Sequence, residues 1–434
     1  MLSKIRKSKF AMHTAWAMGG QLSFLLANFL LFILLVNEFS KETFGIWALY
    51  ITVISIIDSI RQGLVQNGLT RLIINDPKNR SIKSAGTLIN YTVILLSSLL
   101  LLIVPQLLSG NIELNFLLKH AWKTLLVLGT IQLIATFCQA KSDFKTYFKV
   151  NVLYLIGFAG LLFYMRSQSV DLSLIQLVNC QVYALIVPVI YYLIASKPKW
   201  KLPLISDLKR LFSFGKYVSG TNLLSMIFHK ADILMIAYFL DPTAVALFHF
   251  ASKIMNYAEL PLQALSQVIY PRISASYQSN TAGDLNKEYG MSVLRLLVFV
   301  IPICIVLIIL NKEIIYLLSS GDYTESSQLI IILSIGMMLK PVGRVLGLTL
   351  DAIGKPDVNF RMLLISVALN LCMNLILIPQ FGLSGAAIAT TLSIIITILI
   401  GQLSLIRHTA IKPIRDITNS IKQNFNSLKL MSWN

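Results

Sequence analysis

Apolar runs of about 20 residues, each closed by charge, proline or glycine, follow one another along almost the whole 434-residue chain. That length matches the roughly 30 Å hydrocarbon core of a bilayer. Inside such a core every backbone N–H and C=O must be satisfied internally, which leaves helices or closed barrels. Unbroken apolar runs, rather than short alternating segments, select helices. Spans fall near 14–36, 43–65, 86–108, 117–138, 148–166, 172–195, 217–240, 243–271, 291–311, 326–349, 359–379 and 383–406. Charged residues are only 13% of the chain, about half the share expected of a soluble domain. The expected fold is an all-α integral membrane protein with about twelve transmembrane helices.

The loops test that count. With the N-terminus inside, cytoplasmic segments hold about 26 of the 37 Lys and Arg, while external loops hold only Lys41, Lys119, Arg166 and Lys312. This skew is what the positive-inside rule demands, and it predicts N-in and C-in. The net charge of +18 is therefore mostly an orientation signal. No soluble basic, aromatic-interleaved module exists to bind nucleic acid. Basic residues from Met1 to Lys9 precede a full-length apolar run without a small-residue cleavage site, so a retained first helix is expected rather than a signal peptide. Cys138, Cys180, Cys304 and Cys372 are dispersed, with no CxxC or Cys/His cluster to hold a metal.

The longest basic segment between spans, Lys197–Tyr217, divides the chain near its middle. Leu202, Leu204 or Ile205, Leu208, Leu211 and Phe212 line one face of a short helix suited to the inner leaflet and its anionic lipid. The expected division is an N-terminal six-helix lobe (1–200), an amphipathic basic cytoplasmic linker (201–216), a C-terminal six-helix lobe (217–406) and a basic cytoplasmic tail (407–434). The lobes resemble each other. A shift of 201 residues aligns Phe39–Trp47 with Leu240–Phe248, Gln66 with Gln267, Arg71 with Arg272 and Asp58 with Glu259. A shift of 214 aligns Lys141 with Lys355 and Asp143 with Asp357. Two pseudo-symmetric lobes of this kind place their substrate in a central cavity near mid-membrane.

Seven cations fall within or at the margins of the spans: Arg61, Lys123, Lys230, Lys253, Arg295, Lys340 and Arg344. Three acids accompany them: Asp58, Asp232 and Glu259. Groups present only to pair should balance in sign, and these do not. Charges at such depth normally face a partner or a water-filled cavity. Lys340 and Arg344 share a face at i, i+4, with Pro341 adding a kink and Gly336, Gly343 and Gly347 on or beside that face. They are the leading cavity cations, followed by Lys230, Lys253 and Arg61. Asp58 and Arg61, at i, i+3, also form an ion pair within one helix on the bland reading. Snorkelling accounts first for Lys123 and Arg295 at span ends. Asp58, Glu259 and Asp232 are the carboxylates available for ion coupling. No GxxxxGK[ST] loop, HExxH or GxSxG appears, and the external loops are short, so neither direct ATP use, nor catalysis, nor a cofactor is expected.

Four further features carry a resemblance. They are Phe44-Gly45-Ile46-Trp47 after a short external turn, Tyr270-Pro271-Arg272 closing the eighth span, Gly354-Lys355-Pro356 before the eleventh, and Gly382-Leu383-Ser384-Gly385-Ala386-Ala387-Ile388-Ala389 opening the twelfth. With the twelve spans, the chain resembles the polysaccharide transporters, more narrowly the bacterial O-antigen flippases of the multidrug/oligosaccharidyl-lipid/polysaccharide exporter superfamily. The resemblance implies alternating access around a cationic cavity. It also implies flipping of an undecaprenyl-diphosphate-linked oligosaccharide from the cytoplasmic to the periplasmic leaflet of the inner membrane, in lipopolysaccharide or related assembly. Polysaccharide polymerase and chain-length proteins are the implied partners, besides membrane lipids. An ion-coupled multidrug exporter of the same fold is the first alternative, although its commonly cationic substrates oppose a net positive interior. A lipid II flippase is the second, although two extra helices usually follow the twelfth there, and the 27 residues after Arg407 are polar.

Overall fold

The backbone follows the apolar runs helix by helix. A computed structural model describes residues 2–76, 79–103, 112–168, 172–197, 201–278, 282–409, 411–412 and 415–418, with most side chains from residue 12 onward. Among these residues every regular element is helical. The chain divides into two units, Met1–Lys230 and Ala231–Asn434.

Unit 1 holds α1 (Leu2–Glu38), α2 (Lys41–Asn75), α3 (Arg80–Ile103), the short α4 (Ile112–Lys119), α5 (Ala121–Ala140), α6 (Phe144–Ser167), α7 (Leu174–Ser196) and most of α8 (Ile205–Phe239). Polar caps start several of them. Ser40 accepts the Thr43 amide, Asp143 the Thr146 amide, and Ser173 with Gln176 forms a reciprocal capping box. α5 is the most enclosed span and packs on α2, α3, α6 and α7. Tyr50 of α2 meets Thr124 of α5 at 2.7 Å.

The expected linker is not a separate surface helix. Residues 201–204 are non-helical, tied to the start of α3 by the Leu204 amide donating to Ser81 Oγ (2.7 Å) and the Lys201 amide to Ser84 Oγ (3.3 Å). α8 then runs on into the expected seventh span and bends between Ile227 and His229. The unit boundary falls after Lys230, inside this helix. The apolar residues of the linker do not share one environment. Leu211 is fully buried and Leu208 packs beside it on the unit 1 core, whereas Leu202, Ile205 and Phe212 are exposed. The reason is a close helix crossing: Gly215 leaves room for the Leu64 backbone, and Gly63 for that of Ser219, whose hydroxyl donates to the Ile60 carbonyl (2.8 Å).

Unit 2 holds the end of α8, then α9 (Pro242–Ala258), α10 (Leu260–Gln278), α11 (Ala282–Ile309), the short α12 (Asn311–Ser319), a 3-10 turn (Thr324–Ser326), α13 (Ser327–Ala352) and α14 (Pro356–His408). Asp241 caps α9 by accepting the Ala244 amide at 2.8 Å. It stands at the position that the 201-residue shift aligns with Ser40, the cap of α2. α13 is central and packs on α9, α10, α11, α12 and α14.

Nine helices among the described residues are long and apolar enough to cross a membrane, and the bent α8 makes a tenth. This is a multi-pass membrane protein. The expected eighth run, 243–271, is two helices that meet at Glu259, because Pro261 has no N–H to continue the ladder. The expected eleventh and twelfth runs are the two helical arms of α14, which meet at a non-helical corner at Gly382 with φ 58° and ψ −136°. A Cβ on Gly385 would lie 2.0 Å from the Leu377 carbonyl oxygen, so the corner closes only around glycine. The tail beyond residue 418 lies outside the described residues.

Candidate functional site

The densest gathering of candidate side chains lies in unit 2, where α13 meets the break between α9 and α10. Glu259 closes α9, its amide donating to the Met255 carbonyl, and its own carbonyl accepts from Gln263 beyond Pro261. Lys340 of α13 donates to Glu259 Oε2 at 2.5 Å. One turn on, Arg344 Nε donates to Ser266 Oγ of α10 at 3.0 Å. The i, i+4 spacing of Lys340 and Arg344 thus makes both cations grip the same broken span. Lys340 and Glu259 keep 33% and 23% of their side-chain surface exposed, and Arg344 is exposed. Two protons of the Lys340 ammonium and the terminal nitrogens of Arg344 have no acceptor among the described residues.

Lys253 of α9 is half-buried. Its ammonium lies 5.6 Å from the centroid of the Tyr257 ring, a cation–π contact one turn along the same helix. No described carboxylate reaches it. Lys230, the last residue of unit 1, is half-buried and engaged in an interaction of its own.

Asp232 is enclosed differently. Its carboxylate accepts from Asn374 Nδ2 (2.6 Å) and Thr390 Oγ1 (2.8 Å), both on α14 but on opposite sides of the Gly382 corner. Asn374 Nδ2 also donates to Asn370 Oδ1 (3.1 Å), and Asn374 Oδ1 is buried without a hydrogen-bond partner among the described residues. Two donors, the Asn374 amide and the Thr390 hydroxyl, thus face the carboxylate, with no described cation in ion-pair range of Asp232. A buried membrane carboxylate held by neutral donors alone is a candidate for carrying a proton.

Unit 1 treats its charges in the opposite way. Arg61 and Asp58 are 3% and 2% exposed. Arg61 Nε donates to Asp58 Oδ1 at 2.6 Å, one terminal nitrogen to Asn90 Oδ1 at 2.8 Å, and the other to Asp58 Oδ2 at 3.2 Å and to Gln132. Gln62 adds a donor to Asp58 at 2.8 Å. This guanidinium is consumed inside the unit, as the i, i+3 ion pair implies. At the span ends, Lys123 donates to Asn179 Oδ1 (2.7 Å) and Arg295 pairs with Glu288 (2.6 Å). Glu288 lies within α11, which starts at Ala282 rather than near residue 291. Arg295 thus has a partner two turns away on its own helix.

Sequence reasoning missed Asn370, Asn374, Thr390, Asn90, Gln132 and Ser266. The pair Asn370 and Asn374, at i, i+4 in an otherwise apolar run, was the available signal.

A sequence profile of the polysaccharide biosynthesis protein family matches residues 38–328, from the end of α1 into α13. The chain belongs to that family. Its curated relatives include a probable low-salt glycan biosynthesis flippase of Haloferax volcanii, 26% identical over 56% of this chain and 52% of the relative. A putative O-antigen transporter of Shigella flexneri is 20% identical over 45% and 46%. The matches thus span about half the length of these relatives. Among solved structures, a lipid II flippase MurJ in an inward-closed conformation aligns with a TM-score of 0.71 at 18% identity, covering 95% of this chain and 92% of that one. An inward-facing multidrug resistance MATE family transporter of the MOP superfamily also gives 0.71, at 14% identity over 88% and 93%. At such identities the likeness shows the fold alone, the one these two structures share.

Proposed function

We propose that the chain is a flippase for a polyprenyl diphosphate-linked oligosaccharide, taken as an undecaprenyl-diphosphate-linked O-antigen or similar surface-polysaccharide unit. It moves the cargo from the cytoplasmic to the periplasmic leaflet of the inner membrane by alternating access, without covalent chemistry. Two lobes around a central cavity, about twelve spans and N-in, C-in topology belong to this reading. The polymerase and chain-length proteins of such a pathway would receive the flipped units.

One observation carries the proposal. Lys340 and Arg344 stand one turn apart in an apolar helix, accessible, with donors left over after their protein partners are satisfied. Lys253 adds a third cation, and no carboxylate reaches it among the described residues. Such donors match the charge and acceptor density of a diphosphate. They oppose the cations that a multidrug exporter commonly carries. The family membership and the flippase names of the relatives support the same class of cargo. For ion coupling, Asp232 is the carboxylate left without a cation, whereas Asp58 and Glu259 are paired.

The test is reconstitution into liposomes with a fluorescent polyprenyl diphosphate-linked oligosaccharide, scoring its accessibility in the outer leaflet. Wild type should exchange the label, and Lys340→Ala with Arg344→Ala should lower the rate at least about tenfold while the protein stays inserted. An unchanged rate in the double variant removes these cations from the mechanism. Exchange of lipid II but not of the oligosaccharide lipid would favour the lipid II reading.

A further inference from the structure

The contact between Lys340 and Glu259 differs in kind from that between Arg61 and Asp58. The unit 1 pair is sealed, with both partners on one helix and every guanidinium nitrogen engaged. The unit 2 pair joins two elements, is a quarter to a third exposed, and uses one of three ammonium protons. Its acid sits at a chain break, where Pro261 has already removed one rung of the helix ladder. An ion pair open to solvent to this extent contributes little to stability, because water and salt compete with it. The arrangement is therefore poorly suited to holding the fold and well suited to exchange.

We infer that Glu259 is a resident counter-anion, displaced from Lys340 by an incoming ligand, and that it sets the charge the ligand must carry. It is thus a specificity-determining residue. The inference rests on the proposed function and deepens it. A carboxylate brings one negative charge and two acceptor oxygens to the ammonium. A ligand phosphate with one charge gains little by replacing it and must also leave Glu259 without its cation. A diphosphate diester brings two charges, and its second phosphate reaches for the free terminal nitrogens of Arg344, one turn away. Without the acid, Lys340 would accept either anion. With it, only the more highly charged ligand displaces the resident group. Exchange at this point also loosens the tie between α13 and the α9–α10 break, leaving, among the described residues, the Arg344–Ser266 contact to link the two cations to that span.

The experiment uses the whole protein in detergent and two short-chain prenyl ligands with the same sugar. One is linked by a phosphodiester, with one negative charge, and the other by a diphosphate, with two. Affinities are measured for wild type, Glu259→Gln, Lys340→Gln and the double variant. Wild type should prefer the diphosphate at least about tenfold. Glu259→Gln should tighten the phosphodiester up to about fivefold and narrow the ratio, since a pair of this exposure is worth no more than about that factor. In the Lys340→Gln background the same change should alter neither affinity. A wild-type ratio retained in Glu259→Gln, or equal weakening of both ligands, overturns the inference and leaves the flippase reading standing. Wild type binding neither ligand overturns both. Should Glu259→Gln fail to fold by thermal melting, Lys340→Gln carries the test alone. It should bring the ratio near one by weakening the diphosphate, and a preserved ratio overturns the inference.

Discussion

At the scale of single residues, two ion pairs of similar composition serve opposite ends. Arg61 is enclosed and has acceptors on α2, α3 and α5. Removing one side of such a buried pair leaves an uncompensated charge and costs roughly 3–5 kcal/mol. Lys340 is a third exposed, so its loss costs about 1 kcal/mol or less. Thermal unfolding in detergent should therefore separate Arg61→Ala, strongly destabilised, from Lys340→Ala, nearly unchanged although inactive in flipping. Equal losses would mean that the two pairs do the same job. Asp232 supplies a second prediction. Asp232→Asn keeps the shape of the cluster but removes its charge, so transport that responds to an imposed sodium or proton gradient should become insensitive to it. A variant that still responds would assign coupling elsewhere. The sequence made some of this legible: Lys340 with Arg344, and Asp58 with Arg61, are helical-spacing signals between residues of one helix. The partners across helices were not legible, because no local spacing links Lys340 to Glu259 or Asp232 to Asn374. Asn370 and Asn374 also look like ordinary interhelical glue until a buried acid is found beside them.

At the scale of elements, the apolar runs located the helices well, and the differences arise where polar detail overrides hydropathy. Pro261 divides what hydropathy reads as one span, and Glu259 occupies the division. Ser81 and Ser84 tie down the strand of chain before α8, and Leu211 draws α8 onto unit 1, so the basic linker is part of a long helix instead of a free one. Hydropathy also reads 359–379 and 383–406 as separate runs, which the corner at Gly382 makes physically concrete. That corner places Asn374 and Thr390 on either side of Asp232. Gly382→Ala should cost about 1–3 kcal/mol through its left-handed backbone. Gly385→Ala should cost at least as much, because its Cβ would meet backbone rather than a movable side chain. The check is the monodisperse yield and melting temperature of each variant beside Gly160→Ala, where a Cβ meets nothing within 4 Å. Equal yields for all three would show that the corner tolerates side chains.

At the scale of the whole molecule, the sequence carries information that helix geometry alone does not, namely sidedness. Length and apolarity give spans without direction, whereas the skew of Lys and Arg between alternate loops assigns each loop a compartment. The assignment is exposed to test at charged loop residues that are accessible in the structure. Lys119 and Lys312 are expected outside, and Lys209 and Lys355 inside; all four are exposed. Single cysteines at these positions, in a background with Cys372 replaced because that thiol is itself exposed, should divide into two classes. The first two should react with a membrane-impermeant maleimide in intact cells, and the last two only after permeabilisation. Lys209 is the discriminating position. It lies in the segment that the sequence reads as an inner-leaflet helix and that the structure makes the start of α8. Labelling of Lys209→Cys from outside would invert the basic segment relative to the membrane. It would undo the N-in, C-in topology, and with it the direction of transport proposed for the cargo.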